Sequence, residues 1–303
     1  MADVLIALIP AVLAGLYFFG LRAAVLMLVS IASCKIAEFL WCVVRRQPHT
    51  LRDCSAAVTG LLLALTLPVS VPYWVPVVGG FFAMIVVKGL GGGLGQNTFN
   101  PALAARALLV LLFPAAMTRF APVGTVISAG SMSVDMVSSA TPLHHMVMPE
   151  LPDVSLLDAF LGNLPGTIGE VSALALLIGG AYLVVRQVIS LRIPVAYLAT
   201  VAVLTLIFNK GQDPLLWMAY NLLCGGVLLG AIFMATDYAT SPVTPLGQIV
   251  YGVGCGVLTV VFRYFGLFPE GVTYAILLMN AVAWALDRIT PPRRFTSIPG
   301  GAK

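Results

Sequence analysis

The chain has 303 residues, of which 60% are apolar and only 9% charged, with a formal net charge of +4 at pH 7 and a mean hydropathy of +1.01. Soluble domains carry about a quarter of their residues as charges, so a water-soluble globule is excluded, and the thin basic excess gives no support to nucleic-acid binding. What remains is an all-α polytopic membrane protein, because a backbone in hydrocarbon must satisfy its own hydrogen bonds.

A helical crossing takes roughly 20 apolar residues, fewer where a helix breaks inside protein. Ten apolar runs meet that rule, near 4–21, 23–43, 55–69, 74–89, 102–118, 166–185, 190–208, 214–235, 247–265 and 271–286. The third, fourth, fifth and last are short, which predicts half-helices or re-entrant segments among them. The first run begins at Val4 with no positive segment before it and leads into a second, so no cleavable signal is expected. Positive charge stays on the cytoplasmic side. With both termini cytoplasmic, the inner segments hold Arg45, Arg46, Arg52, Lys88, Arg186, Arg192, Arg288, Arg293, Arg294 and Lys303. The outer ones hold Arg22, Arg119 and Lys210, while Lys35, Arg106 and Arg263 fall within spans. This predicts one integral-membrane domain: a first half over about 1–118, an outer loop over 119–165, a second half over about 166–288 and a cytoplasmic tail over 289–303.

Five spans on each side of the loop would place the halves in opposite orientations, as in inverted repeats. The third span of each half supports this weakly. Gly60 opens GLLLALTLPVSVP and Gly226 opens GVLLGAIFMATDYATSP, both apolar runs that break into Thr, Pro and Ser. If the repeat is real, the broken ends should meet and form a polar site. Two segments are candidates to line it. GLGGGLGQNTFNP, Gly89 to Pro101, offers Asn97 and Asn100; its plain reading is a close-packed glycine turn, its sharper one a pocket wall. TDYATSPVTPLGQ, Thr236 to Gln248, offers Asp237 and Thr240 in a hydroxyl-rich stretch without lysine or arginine. The five cysteines lie in or beside spans without CxxC spacing, so they read as small buried hydrophobes. Lys35 and Glu38, three apart on the second span, share a helix face and can pair, and a local ion pair or a partner-subunit contact explains them without an ion path; Arg106 and Glu170 are further charges at membrane depth.

The longest polar interval contains DMVSSATPL, Asp135 to Leu143. By propensity alone such a Ser/Thr cluster is a turn or a helix cap. The string nevertheless closely resembles a flavinylation signature, matched at Asp135, Ser138, Ser139, Ala140 and Thr141, with Ser139 where Gly is common. Further along, GGLGQNTFNPA, FMATDYATSPVTPLGQ, the FPEG from Phe268 to Gly271, and AILLMNA followed by LDR are similar to segments of the D subunits of Rnf electron-transport complexes. They are more distantly similar to the B subunit of the sodium-pumping NADH:quinone reductase. The chain is identified on these residues as a member of that family, and its length favours the Rnf subunit.

The resemblance implies FMN held on Thr141 through a phosphoester, attached by an FAD-dependent transferase outside the cytoplasm that uses magnesium and releases AMP. Asp135, Ser138, Ser139 and Ala140 would be recognition elements. It implies a subunit of a redox-driven ion translocase in a bacterial inner membrane, a ferredoxin:NAD oxidoreductase complex moving Na⁺ or H⁺. The other subunits would be an FMN-bearing G subunit, iron–sulfur A and E subunits in the membrane, and B and C subunits. A second, non-covalent flavin, riboflavin or FMN, is expected by analogy to the quinone reductase, with Asn97, Asn100, Asp237 and Thr240 as its candidate contacts. His144 and His145 follow the tether and are candidate flavin contacts, though loop histidines are more often solvated. The competing class is a small-solute transporter or channel, for which DMVSSATPL is only a turn.

Overall fold

A computed structural model describes residues 1–46, 53–93, 95–121, 151–152, 154–170, 172–266 and 271–291. Among these residues every regular element is helical, and an isolated antiparallel bridge joins Pro68 to Thr167. The helices are α1 (Ala2–Arg45), α2 (Ser55–Leu65), α3 (Trp74–Phe81) with a π-helical continuation Phe82–Gly89, α4 (Pro101–Leu112), α5 (Pro114–Met117), α6 (Leu156–Leu161) and α7 (Ala173–Val185). They continue as α8 (Arg192–Ile207), α9 (Pro214–Leu223), α10 (Val227–Leu229) with a π-helical turn Gly230–Met234, α11 (Pro245–Phe265) and α12 (Val272–Ile289).

The first two predicted spans form α1, whose 44 residues are divided at Gly20, with φ 67° and ψ −157°, a region essentially reserved for glycine. From Ala2 to that break the helix rises about 27 Å at 1.5 Å per residue, close to one hydrocarbon thickness. Beyond it the chain doubles back, because Glu38 is bonded to Lys88, which lines a cleft together with Met1. α1, α11 and α12 are each long and apolar enough to cross a membrane, and α9 with the following Val227–Met234 makes a pair bent by 61°.

Short helices appear over 55–65, 74–89 and 101–112, where the sequence predicts half-helices. The last predicted span is not short. It continues past Leu286 to Ile289, with Arg288 4.1 Å over the Trp284 ring, so the helix outlasts the hydropathy. The run predicted from 166 becomes helical only at Ala173. Helix starts follow local chemistry: Asn100, Asp213 and Thr244 each accept a backbone N–H of the turn they open, and a proline follows each of them, matching the preference for a polar cap and Pro at the first position.

Breaks in a spanning helix free carbonyls that hydrocarbon cannot hydrate. Two buried arginines answer them. Arg22, assigned from sequence to an outer turn, is fully buried; its Nε donates to Val69 O at 2.8 Å and its Nη2 to Val71 O at 3.3 Å, beyond the end of α2. Arg263 donates through Nη1 to Asn221 O and through Nη2 to Cys224 O at 3.1 Å, where α9 gives way to α10. A strap also joins the end of α2 to the break between α9 and α10, whereas Thr236 and Asp237, where the second run ends, line the cleft with residues of α2 and none of 66–72. Ile168 N donates to Leu67 O at 3.0 Å and Gly169 N to Leu65 O at 2.7 Å. The next residue, Glu170, lies against Gly226 and pairs with Arg106 of α4 at 3.4 Å, both side chains 5% exposed.

α1 packs on α7 through a glycine. A Cβ on Gly179 would fall 2.0 Å from Ala7 O, and a backbone oxygen cannot swing aside as a side chain does. Gly179→Val should therefore destabilise by at least ~1–3 kcal/mol through overpacking, read as a lowered unfolding temperature in detergent. Gly166→Ala, with no neighbour within 4 Å of the added methyl, is the neutral control.

Candidate functional site

A cleft of about 240 Å³ opens at the end of the bundle where α1 begins, near the lower bound of roughly 300 Å³ for ligand pockets. Met1, Val4 of α1, Val58 and Leu62 of α2, and Leu183 of α7 supply the apolar wall. Polar groups arrive from the glycine-rich and hydroxyl-rich segments, with Asn97 and Asn100 from the first and Asp237 from the second. Thr240 does not line the cleft, but its hydroxyl donates to Asp237 Oδ2 at 3.4 Å.

Positive φ at Gly92 (108°), Gly93 (98°) and Gly95 (82°) turns the chain sharply after the π-helical segment. This brings Asn97 under the cleft and Asn100 to the start of α4. Asn100 is largely committed to structure: its Oδ1 accepts from Ala102 N at 3.0 Å and Leu103 N at 3.3 Å, and its Nδ2 donates to Met234 O at 3.3 Å. That last bond clamps the first segment to the broken span of the second half. Asn97 is different. It is 7% exposed, and its Oδ1 has no hydrogen-bond partner among the described residues. A buried acceptor left unpaired costs about 1–3 kcal/mol, and this one belongs to a residue that lines the cleft, so the site suits a ligand carrying an N–H donor.

Asp237 follows the π-helical turn, with the Thr240 hydroxyl on its carboxyl, and is among the residues lining the cleft. The cleft thus holds a carboxyl, an unpaired amide oxygen and a long apolar wall, a set that fits a planar heteroaromatic ring with polar edges, such as a flavin. Sequence reasoning missed one polar neighbour. Lys88, counted as a loop charge, is 6% exposed on the cleft wall and bonded to Ser55 Oγ at 2.6 Å and to Glu38. Glu38 therefore pairs with Lys88 rather than with Lys35, which is exposed. The i, i+3 rule puts the two on one face, but Glu38 belongs to the buried stripe of Cys34, Ala37 and Cys42.

Asp135, Ser138, Ser139, Ala140 and Thr141, with His144 and His145, lie outside the described residues. Their flanks are described. Arg119 O accepts from Ser70, between the carbonyls held by Arg22, and Val154 O accepts from Tyr220. Arg22 lies just beyond the Gly20 break, so this anchorage is at the end of the bundle opposite the cleft.

Against known proteins, residues 1–296 match the model of the NQR2, RnfD, RnfE family. The chain is 46% identical over 296 residues to the D subunit of the Na(+)-translocating ferredoxin:NAD(+) oxidoreductase complex of Acetobacterium woodii, covering 97% of this chain and 89% of that one. It is 38% identical to the D subunit of the proton-translocating ferredoxin:NAD(+) oxidoreductase complex of Clostridium ljungdahlii (97% and 90% covered). Against the D subunit of the ion-translocating oxidoreductase complex of Stutzerimonas stutzeri the identity is 40% (97% and 91% covered). A family match over nearly the whole chain, with such relatives matched along most of their own length, makes this chain a member of the NQR2, RnfD, RnfE family.

Proposed function

We propose that the chain is the electron-carrying D subunit of an Rnf-type ferredoxin:NAD oxidoreductase, with FMN esterified to Thr141 on one face of the membrane and a non-covalent flavin in the cleft at the other. The buried, unpaired Asn97 Oδ1 in a cleft shared by the glycine-rich and hydroxyl-rich segments carries the second part; the match of DMVSSATPL to the flavinylation signature carries the first. When bound, flavin supplies one- and two-electron redox chemistry, and the protein supplies position and electrostatics. Asn97 would accept a hydrogen bond from the bound group, and Asp237 with Thr240 would hold its polar rim. The apolar wall from α1, α2 and α7 keeps water off the ring face. The charge bias supports a cytoplasmic cleft and a periplasmic Thr141 loop, on the side where the transferase works.

The partners follow from this assignment: the G, A, E, B and C subunits, the transferase and the surrounding lipid. The complex couples electron flow to Na⁺ or H⁺ movement, and relatives of both names cover 97% of the chain. Acid precipitation of protein made alongside the transferase separates the two pools. One flavin should stay with the pellet and one should enter the supernatant. Asn97→Leu should lower retention of the extractable pool by about tenfold to a hundredfold, as expected for losing one buried hydrogen bond, while the covalent pool persists. A supernatant free of flavin from the unaltered protein sinks the cleft assignment.

A further inference from the structure

The cleft has a neighbour. A second cavity of about 260 Å³ is lined by Glu38, Trp41, Cys42, Arg45 and the glycine turn. Among the described residues, Lys88 alone lines both cavities. It lies in the π-helical segment Phe82–Gly89, the kind of irregularity that recurs at functional sites. Its ammonium has three protons. Glu38 takes one and Ser55 Oγ another, at 2.6 Å. Ser55 itself lines the cleft whereas Glu38 does not. The ammonium thus stands between the two cavities, with Ser55 on the cleft side and its counter-charge Glu38 on the other.

We propose that Lys88 is a positioning residue for cleft redox chemistry: its ammonium supplies the positive potential that favours the reduced state of the flavin, and Glu38 sets how much of that potential reaches the ring. This rests on the flavin assignment of the cleft. Two-electron reduction with uptake of one proton gives the ring a negative charge, the electrons coming from another flavin or iron–sulfur carrier of the complex. A fixed cation at the wall of a site poor in water holds that anion more tightly than the neutral oxidised ring. Glu38 works against it, since its carboxylate cancels part of the field.

Opposite signs separate this role from a merely structural one. The full-length protein carrying Thr141→Ala, which leaves the non-covalent flavin as its own, is titrated spectroelectrochemically. Lys88→Met should lower the flavin midpoint potential by about 30 mV or more, the equivalent of a tenfold loss in preference for the reduced ring in a two-electron couple. Lys88→Arg should restore most of it. Glu38→Gln should raise it. Should Lys88→Met fail to fold with Glu38 left behind, the Lys88→Met/Glu38→Gln double variant removes both charges and should still lower the potential, by less. A bound flavin whose potential is unchanged by these substitutions overturns the role of Lys88. Absence of extractable flavin from the parent protein overturns the cleft assignment, and this role with it.

Discussion

Thr141→Ala should erase flavin fluorescence from the denatured band of this protein, and ferredoxin-dependent NAD reduction by the whole complex should fall to background. The expectation follows from the bond. On the proposed assignment the transferase would cleave the pyrophosphate of FAD, join the FMN phosphorus to the Thr141 oxygen and release AMP, with the hydroxyl proton passing to a base. A threonine hydroxyl is a weak nucleophile unless such a base activates it, so labelling depends on which hydroxyl the transferase sets beside that base. Ser138 and Ser139 also carry hydroxyls, and the substitution tests them directly: fluorescence that survives it refutes the site while leaving the function. Thr141→Ser keeps the oxygen and should keep part of the label. The extractable flavin of the cleft should be unaffected, because no residue of that segment is among the described residues that line the cleft.

The largest stability effect is expected at the Arg106–Glu170 pair. Both side chains are 5% exposed, so removing one partner leaves a charge where no water compensates it, at a cost of about 3–5 kcal/mol. Arg106→Met should therefore lower the unfolding temperature by ~10 °C. Adding Glu170→Gln should recover most of that loss, because replacing both members of a buried pair is often close to neutral. A double variant as unstable as the single one would show that Arg106 acts through packing and not through its charge. Thermal unfolding in detergent, followed by tryptophan fluorescence, distinguishes the two.

Apolar run length locates the helices, and it also marks α2, α3 and α4 as too short to cross. Partners are another matter. Glu38 meets Lys88 across 50 residues and Arg106 meets Glu170 across 64, and no periodicity within one helix encodes such pairs. A lysine beside a glycine run looks like the start of a loop, whereas the π-helical segment carries Lys88 inside. Arg22 misleads in the same way, since its burial depends on carbonyls of a segment 47 residues away. The Gly- and Thr-rich stretches are legible as polar interruptions too costly to leave facing lipid. Which of their side chains keeps an open valence, Asn97 rather than Asn100, depends on helix capping and on a clamp to Met234 that only the assembled bundle creates.

The strap from Thr167 to Glu170 bears on mechanics. A carrier that alternates access needs a slip plane between its halves, and here the plane is stitched: two backbone amides and an ion pair cross it where no water waits to receive them. Sliding would strand each of those groups in a medium that solvates none. Tunnelling makes the opposite demand, since its rate falls exponentially with distance and a frame that breathes makes a poor conductor. A stitched bundle would serve the proposed flavins as an insulating spacer that keeps the gap between them fixed.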